Sequence, residues 1–329
     1  MDDAADRQMK LERAIIFMLM LLAPCIASAQ AYPGKPVRII VPYTPGGDTD
    51  VVARHIAPKL TDALRQQVIV ENRPGAGSLI GTEAMLRAPA DGYTLAMGTI
   101  SSLAVLPVTR TNVPYDPLKD IAPIVLATVV PYALHVHPAL PVRSAAELVK
   151  LARARPGQLS YGTPGIATGV HLTTEYFSSV AGVKLVHVPY KGSSVMVVDL
   201  LAGNIPVAFT TFSTTAQHIR SGRVRALAVA SAARSKDFPD IPTMTEAGFR
   251  GFEAATWHGV VARAGVPRPI VTRLNAEIAR ILKSDDVRPA LVNAGFDVGA
   301  GSVEDFERFI RSEIDKWRKV AASANLRVD

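Results

Sequence analysis

The sequence predicts an α/β protein of two doubly wound α/β lobes with a ligand cleft between them. Three observations carry this. Short β-branched runs alternate with stretches of helical apolar spacing along most of the chain, which predicts a parallel sheet wound by helices. A glycine-rich turn between a strand and a helix occurs twice in kind, at residues 42–50 and 162–169. Between them, residues 121–136 form a long apolar, β-branched stretch broken by Pro131, read as the crossing between lobes.

At 329 residues the chain suffices for about two ordinary domains. Residues 1–29 read as a secretory signal. A polar, acidic start (with Met9 as an alternative initiator) leads to Lys10 and Arg13, an apolar run over 14–22, and Ala27-Ser28-Ala29 as the cleavage site before Gln30. That run is too short to span a membrane. Pro24 ahead of Cys25 argues against a lipoprotein anchor. Cys25 is the sole cysteine and leaves with the signal, so the mature chain has no disulfide or thiol chemistry and relies on its core. Cleavage removes three basic residues (Arg7, Lys10, Arg13) and four acidic ones (Asp2, Asp3, Asp6, Glu12), raising the net charge from +7 to +8. A basic balance suits an anionic ligand. Export and the lack of a dense Lys/Arg run argue against nucleic acid. No other segment is long and apolar enough to cross a bilayer.

The first lobe starts with Val37, Ile39, Ile40 and Val41 as a buried strand. Pro45, Gly46 and Gly47 force a turn, and Thr49 or Asp50 is the expected N-cap of a helix with Val52, Ile56, Leu60 and Leu64 on one face. Strand, turn and helix start together aim unpaired N–H groups at one point, a small anion site favoured by the helix dipole; an ordinary βα turn reads the same way. Residues 68–70 are a second strand and 79–88 a helix. Gly75, Gly77 and Gly81 miss the dinucleotide fingerprint by one residue, so no nucleotide cofactor is expected. Residues 93–97 are a third strand opening into a polar loop over 98–102.

In the second lobe, 144–153 is a helix with Ser144 and Glu147 as a capping box. Residues 159–161, then the turn 162–169, then a helix over 170–179 repeat the opening arrangement. Residues 183–188 are a strand, 195–202 a helix, 205–209 a strand running into Thr210, Thr211, Ser213, Thr214 and Thr215, and 225–230 a strand. Residues 254–261 return to the first lobe, on which helices over 269–282 and 303–324 pack. The resulting division is 1–29 signal, 30–128 with 257–329 as lobe 1, and 129–256 as lobe 2.

The residues also resemble a family. Pro-Tyr-Thr-Pro-Gly-Gly with an Asp at 50, Glu-Asn-Arg-Pro-Gly-Ala-Gly at 71–77 and Asp-Gly-Tyr-Thr-Leu at 91–95 are similar to the Bug family, the substrate-binding proteins of tripartite tricarboxylate transporters. Tyr161-Gly162-Thr163 with His171-Leu172, Val188-Pro189-Tyr190-Lys191-Gly192, Pro242-Thr243 with Glu246-Ala247-Gly248, and Trp257 with Gly259 continue the match over nearly all of 31–329. The resemblance implies a periplasmic, monomeric "Venus flytrap" receptor that binds a small carboxylate between βα loops. It implies backbone amides and waters as the contacts, no cofactor or metal, and transient docking to membrane transporter subunits.

On that reading Tyr43 lies against the ligand's carbon chain or packs a strand end, and Thr44 with Gly47, Asp48 and Thr49 faces a carboxylate. Asp50 caps the helix and fixes the loop, or touches a ligand amine. Asp48 stands where the family has a small uncharged residue. Either its side chain points to solvent, or the ligand carries a cationic or donor group, because a carboxylate beside an anion site is repulsive. Thr163, Ala167, Thr168 and Gly169 form the second amide cluster, Thr210 and Thr211 supply hydroxyls, and Thr99, Tyr161, Pro189 and Tyr190 complete the expected ligand-binding set. Residues 195–198 replace an alanine-rich stretch of the family and are expected to narrow the cleft. His171 is expected to be structural, Lys191 a surface charge and Trp257 a hinge or core aromatic. No nucleophile elbow surrounds Ser101, Ser193 or Ser213, and no metal motif appears, so a hydrolase is disfavoured. Uptake and presentation to a sensor kinase both use a closing cleft, and the sequence leaves them open.

Overall fold

The computed structural model describes residues 32–323, so the expected signal and its cleavage site lie outside the described residues. From the first lobe, β1 (Val37–Val41) leads to α1 (Asp48–Leu64), then β2 (Val68–Asn72), α2 (Leu79–Leu86) and β3 (Thr94–Thr99). A helical turn (Ser101–Val105) runs into α3 (Leu106–Thr109), and β4 (Ile121–Val136) follows. The second lobe adds α4 (Ala145–Ala154), β5 (Ser160–Thr163), α5 (Gly169–Ala181) and β6 (Val186–Pro189). It continues with α6 (Ser193–Ala202), β7 (Val207–Thr211), α7 (Phe212–Arg220) and β8 (Arg225–Val229). The chain returns through β9 (Ala255–Arg263) to α8 (Arg268–Leu282), α9 (Val287–Asn293), β10 (Asp297–Val298) and α10 (Val303–Ser323).

Strands run in the order β2-β1-β3-β9-β4-β7-β5-β6, with β10 and β8 also pairing β4. The sheets are mixed rather than purely parallel. β1 pairs β2 and β3 in parallel, and β5 pairs β6 and β7 in parallel. The two long strands β4 and β9 run antiparallel to each other and to their remaining neighbours. The expected alternation is correct within each lobe; the reversal comes from the two segments that connect them.

β4 is the hub. Its first part, to Pro131, pairs β9; from Tyr132 onward it pairs β7 and β8. Pro131 therefore does not break the strand. It sits opposite Ala255, where the ladder changes partner, a position at which a missing N–H is tolerated.

The predicted apolar stripe of α1 is correct: Val52, Ile56, Leu60 and Leu64 are all buried. Trp257 and Trp317 are core residues of the first lobe, and both indole N–H groups donate to the buried Glu313 Oε2, at 2.9 and 3.2 Å. The second lobe packs Phe177, Phe209 and Phe252 together, with ring centroids 5.7 to 6.4 Å apart. The Ser144 hydroxyl accepts from Glu147 N at 3.1 Å as expected of a capping box, while the Glu147 carboxylate accepts from Arg143 N, one residue before the cap, at 2.6 Å.

Two local expectations need correction. The N-cap of α1 is Gly47, not Thr49 or Asp50, because Gly47 is the last residue with extended backbone. The loop expected over 98–102 is the end of β3 followed directly by the helical turn at Ser101. The polar run after Thr211 forms the first turn of α7, a helix the sequence reading did not assign; Thr214 and Thr215 are accommodated because their hydroxyls bond back to the Thr211 carbonyl at 3.0 Å.

Candidate functional site

The β1–α1 turn is held by Asp50. Its Oδ2 accepts from Gly46 N at 3.0 Å and Arg54 Nε at 2.8 Å, and its Oδ1 accepts from Asn72 Nδ2 at 2.9 Å. The same Asn72 amide donates to the Tyr43 carbonyl. Burial acts to raise the Asp50 pKa, but the Arg54 guanidinium and the Gly46 and Asn72 donors outweigh it and hold the carboxyl below its ordinary value. Asp50 thus fixes the loop and makes no contact with the cleft.

The β5–α5 turn is held without charge. Thr168 is the N-cap of α5: its hydroxyl donates to the Gly165 carbonyl at 2.8 Å and accepts from His171 N. Thr163 Oγ1 bonds Gly165 and lies 2.6 Å from His187 Nε2. Ala167, with φ of 57°, donates its N–H to His171 Nδ1. His171 and His187 stack with ring centroids 4.0 Å apart. Burial drives both below their ordinary pKa, His171 to about 3 and His187 to about 4, so both are neutral near pH 7.

The two turns face one another across a single cavity. Gly47, Asp48 and Thr49 at the start of α1 line it from the first lobe, with Tyr43, Thr99 and Ser101. Thr168, Gly169, Ser193, Thr210 and Thr211 line it from the second, at the starts of α5, α6 and α7. First-turn N–H groups of a helix have no acceptor within the helix, and they carry the positive end of its dipole. Four helix starts from two lobes therefore surround a space suited to an anion. The cavity measures about 40 Å³, where one water needs roughly 10–15 Å³. The lobes are closed on it: Thr44 Oγ1 lies 3.1 Å from Ser194 Oγ, Ser194 donates to the Pro45 carbonyl, and Gly169 N donates to Ser101 Oγ.

Asp48 is buried, which corrects the solvent-facing alternative. Its Oδ2 accepts from Thr211 Oγ1 at 2.7 Å and its Oδ1 from Ser213 Oγ at 2.6 Å, both on the opposite lobe. Burial raises its pKa, and the two hydroxyls offset part of that rise.

Other expected residues lie elsewhere. Thr44 packs against Gly192, where a Cβ would sit 2.2 Å from its hydroxyl. Tyr161 is in the core, its hydroxyl on Glu175. Thr163 and Ala167 stand behind the turn rather than on the cavity. Pro189, Tyr190 and Lys191 border a second hollow of about 230 Å³, which shares Tyr43 and Pro164 with the first. The residues 195–198 do not narrow the cleft: Val195 and Val198 are exposed, while Met196 and Val197 fill a small core under β5.

Sequence reasoning missed Ser101, Tyr132, Pro164, Val170, Ser193, Thr256 and His258, which also line the cavity. Thr256 and His258 had a signal. They are two polar residues with period 2 in a strand that is otherwise apolar up to its last residue, Arg263, which puts both on one face. His258 Nδ1 is 2.8 Å from Thr128 Oγ1, and burial lowers its pKa to about 3. Among the described residues no group of three His, Cys, Asp or Glu could hold a metal, and no helix is long and apolar enough to cross a membrane.

The chain is similar to known proteins. The family described as "Tripartite tricarboxylate transporter family receptor" matches residues 52–326. BugT of Bordetella pertussis is 39% identical over 294 residues, covering 89% of this chain and 90% of that protein. The solved structure of R. palustris Rpa4515 with adipate is 37% identical, with a TM-score of 0.86 over 90% of this chain and 99% of that one. MatC from Rhodopseudomonas palustris with bound malate is 28% identical, with a TM-score of 0.85 over 88% and 99%.

Proposed function

The chain belongs to the family of tripartite tricarboxylate transporter receptors, and from that premise we propose that it traps one small carboxylate between its two lobes in the periplasm. The observation that carries the reading is the convergence of helix starts from both lobes on one closed, hydroxyl-lined cavity. The first-turn N–H groups of α1 and α5 hold the ligand's carboxylate, with the hydroxyls of Thr49, Thr99 and Ser101 beside it. Tyr43 and Tyr132 lie along its carbon chain. The adipate and malate in the two solved relatives support this chemistry.

The lobes divide as 30–128 with 257–329 and 129–256, and the bonds now joining them break to admit the ligand. The protein acts as a monomer that delivers its ligand to membrane subunits by transient docking, and it carries out no reaction. The signal-like residues 10–29 support export to the periplasm.

A thermal-melt panel of small mono- and dicarboxylates tests the reading. A ligand that binds only the native state raises Tm in a concentration-dependent way. At least one member at millimolar concentration is expected to give a rise of several degrees. No shift with any of them would overturn the carboxylate receptor.

A further inference from the structure

We propose that Asp48 sets which carboxylate the cleft accepts: a monoanion bearing a hydrogen-bond donor, ammonium or hydroxyl, at the end away from its carboxylate, rather than a dianionic dicarboxylate. This rests on the receptor reading above and specifies its ligand class.

The argument begins with charge. Among the described residues Asp48 is the one carboxylate that borders the cavity, and no Lys or Arg borders it. The other titratable lining groups are Tyr43, Tyr132 and His258. Burial raises both tyrosines and lowers His258, so all three are neutral at pH 7. The cavity therefore contains no fixed cation to balance either Asp48 or a second anionic group.

Position follows. A carboxylate offers about four acceptor positions. Thr211 and Ser213 use two of them, which anchors the group from the facing lobe. What remains toward the cavity accepts hydrogen bonds and cannot donate them when ionised. Thr211 is also the N-cap of α7. The Asp48 carboxylate thus sits beside this helix start, bonded to its hydroxyls, where a ligand's second carboxylate would otherwise find donors. The starts of α1 and α5 are left for the first. Rejecting a competitor by an unpaired like charge is an ordinary route to specificity.

Protonation is the alternative, and the burial that raises the Asp48 pKa works toward it. Ser213 Oγ lies 2.7 Å from Thr211 Oγ1, so a proton on Asp48 would close a three-member ring of hydrogen bonds and leave a neutral latch. A neutral latch would not discriminate by charge.

Calorimetry at pH 7.5 with length-matched pairs separates the two: adipate against 6-aminohexanoate and 6-hydroxyhexanoate, and succinate against 4-aminobutanoate. Wild type is expected to favour the donor-bearing member by about ten-fold or more. Asp48→Ser and Asp48→Asn are expected to shift that ratio toward the dicarboxylate by about ten-fold. Asp48→Asn keeps size and can still bond the hydroxyls, so it isolates charge if Asp48→Ser fails to fold. Equal binding of both members by wild type, or a ratio unmoved in Asp48→Asn, overturns the role of Asp48 and leaves the receptor standing. Binding of no member by wild type or variant overturns the receptor, and this inference with it.

Discussion

The two glycine-rich turns that frame the cavity do the same job by different means. The β1–α1 turn is tied by a charged network, with Asp50 on Arg54, Gly46 and Asn72. The β5–α5 turn is tied by Thr163, Thr168 and the neutral pair His171 and His187. Helix starts aimed at an anion do not need a charged support; they need one that holds the backbone still. The difference lies in how each turn responds to pH and to added volume.

Acid is expected to have the largest effect, and it falls on the second turn first. Burial depresses His171 to about 3 and His187 to about 4. The unfolded chain therefore takes up protons near pH 6.5 that the fold refuses, and stability drops as pH falls from about 6.5 toward 4. Each such proton contributes a slope of up to about 1.4 kcal/mol per pH unit. His135 and His258, also buried and lowered, add the same sign. Ring resonances of His171 and His187 followed by NMR should remain neutral at pH 5.5; titration between 6 and 7 would break the contrast.

The first turn behaves oppositely within itself. Asp50, lowered in the fold, contributes stability above the ordinary Asp range that disappears as pH falls through its folded value. Asp48, raised in the fold, favours the folded state at low pH, and that contribution is lost as pH rises through its folded value. Asp50→Ala removes three hydrogen bonds, including a charge-assisted one, and is expected to destabilise by about 2–3 kcal/mol in urea melts. A loss under about 0.5 kcal/mol would show that the turn does not depend on this network.

Glycine substitutions sharpen the comparison. A Cβ on Gly169 would lie 2.7 Å from the Tyr132 hydroxyl and 2.8 Å from Ile100, whereas a Cβ on Gly47 meets its nearest neighbour, Ser193, at 4.0 Å. Gly169→Ala is therefore expected to cost about 1–3 kcal/mol by overpacking and Gly47→Ala less than about 1. Equal losses would mean that the two turns are packed alike. Thr168→Ala, the loss of one N-cap, is expected to cost about 1 kcal/mol by chemical denaturation, between the two glycine variants.

Much was legible from short-range pattern. The stripe Val52, Ile56, Leu60 and Leu64, the Ser144 capping box and both glycine turns follow from the local spacing of apolar, capping and turn residues. Of the expected site, Tyr43, Gly47, Asp48, Thr49, Thr99, Thr168, Gly169, Thr210 and Thr211 meet at the cavity. Tyr161, Thr163 and Ala167 do not, because a turn has two sides and the sequence does not say which one faces the cleft.

The sequence by itself determined that two strand–turn–helix units exist, since local sterics, turn residues and apolar spacing suffice for that. Only the tertiary structure decided that the two units meet. It bends β4 from one sheet into the other at Pro131, brings Thr256 and His258 from a distant strand, and sets Asp48 against Thr211 and Ser213 on the facing lobe. Contacts between residues more than 160 positions apart depend on the path of the whole chain, which no local pattern encodes.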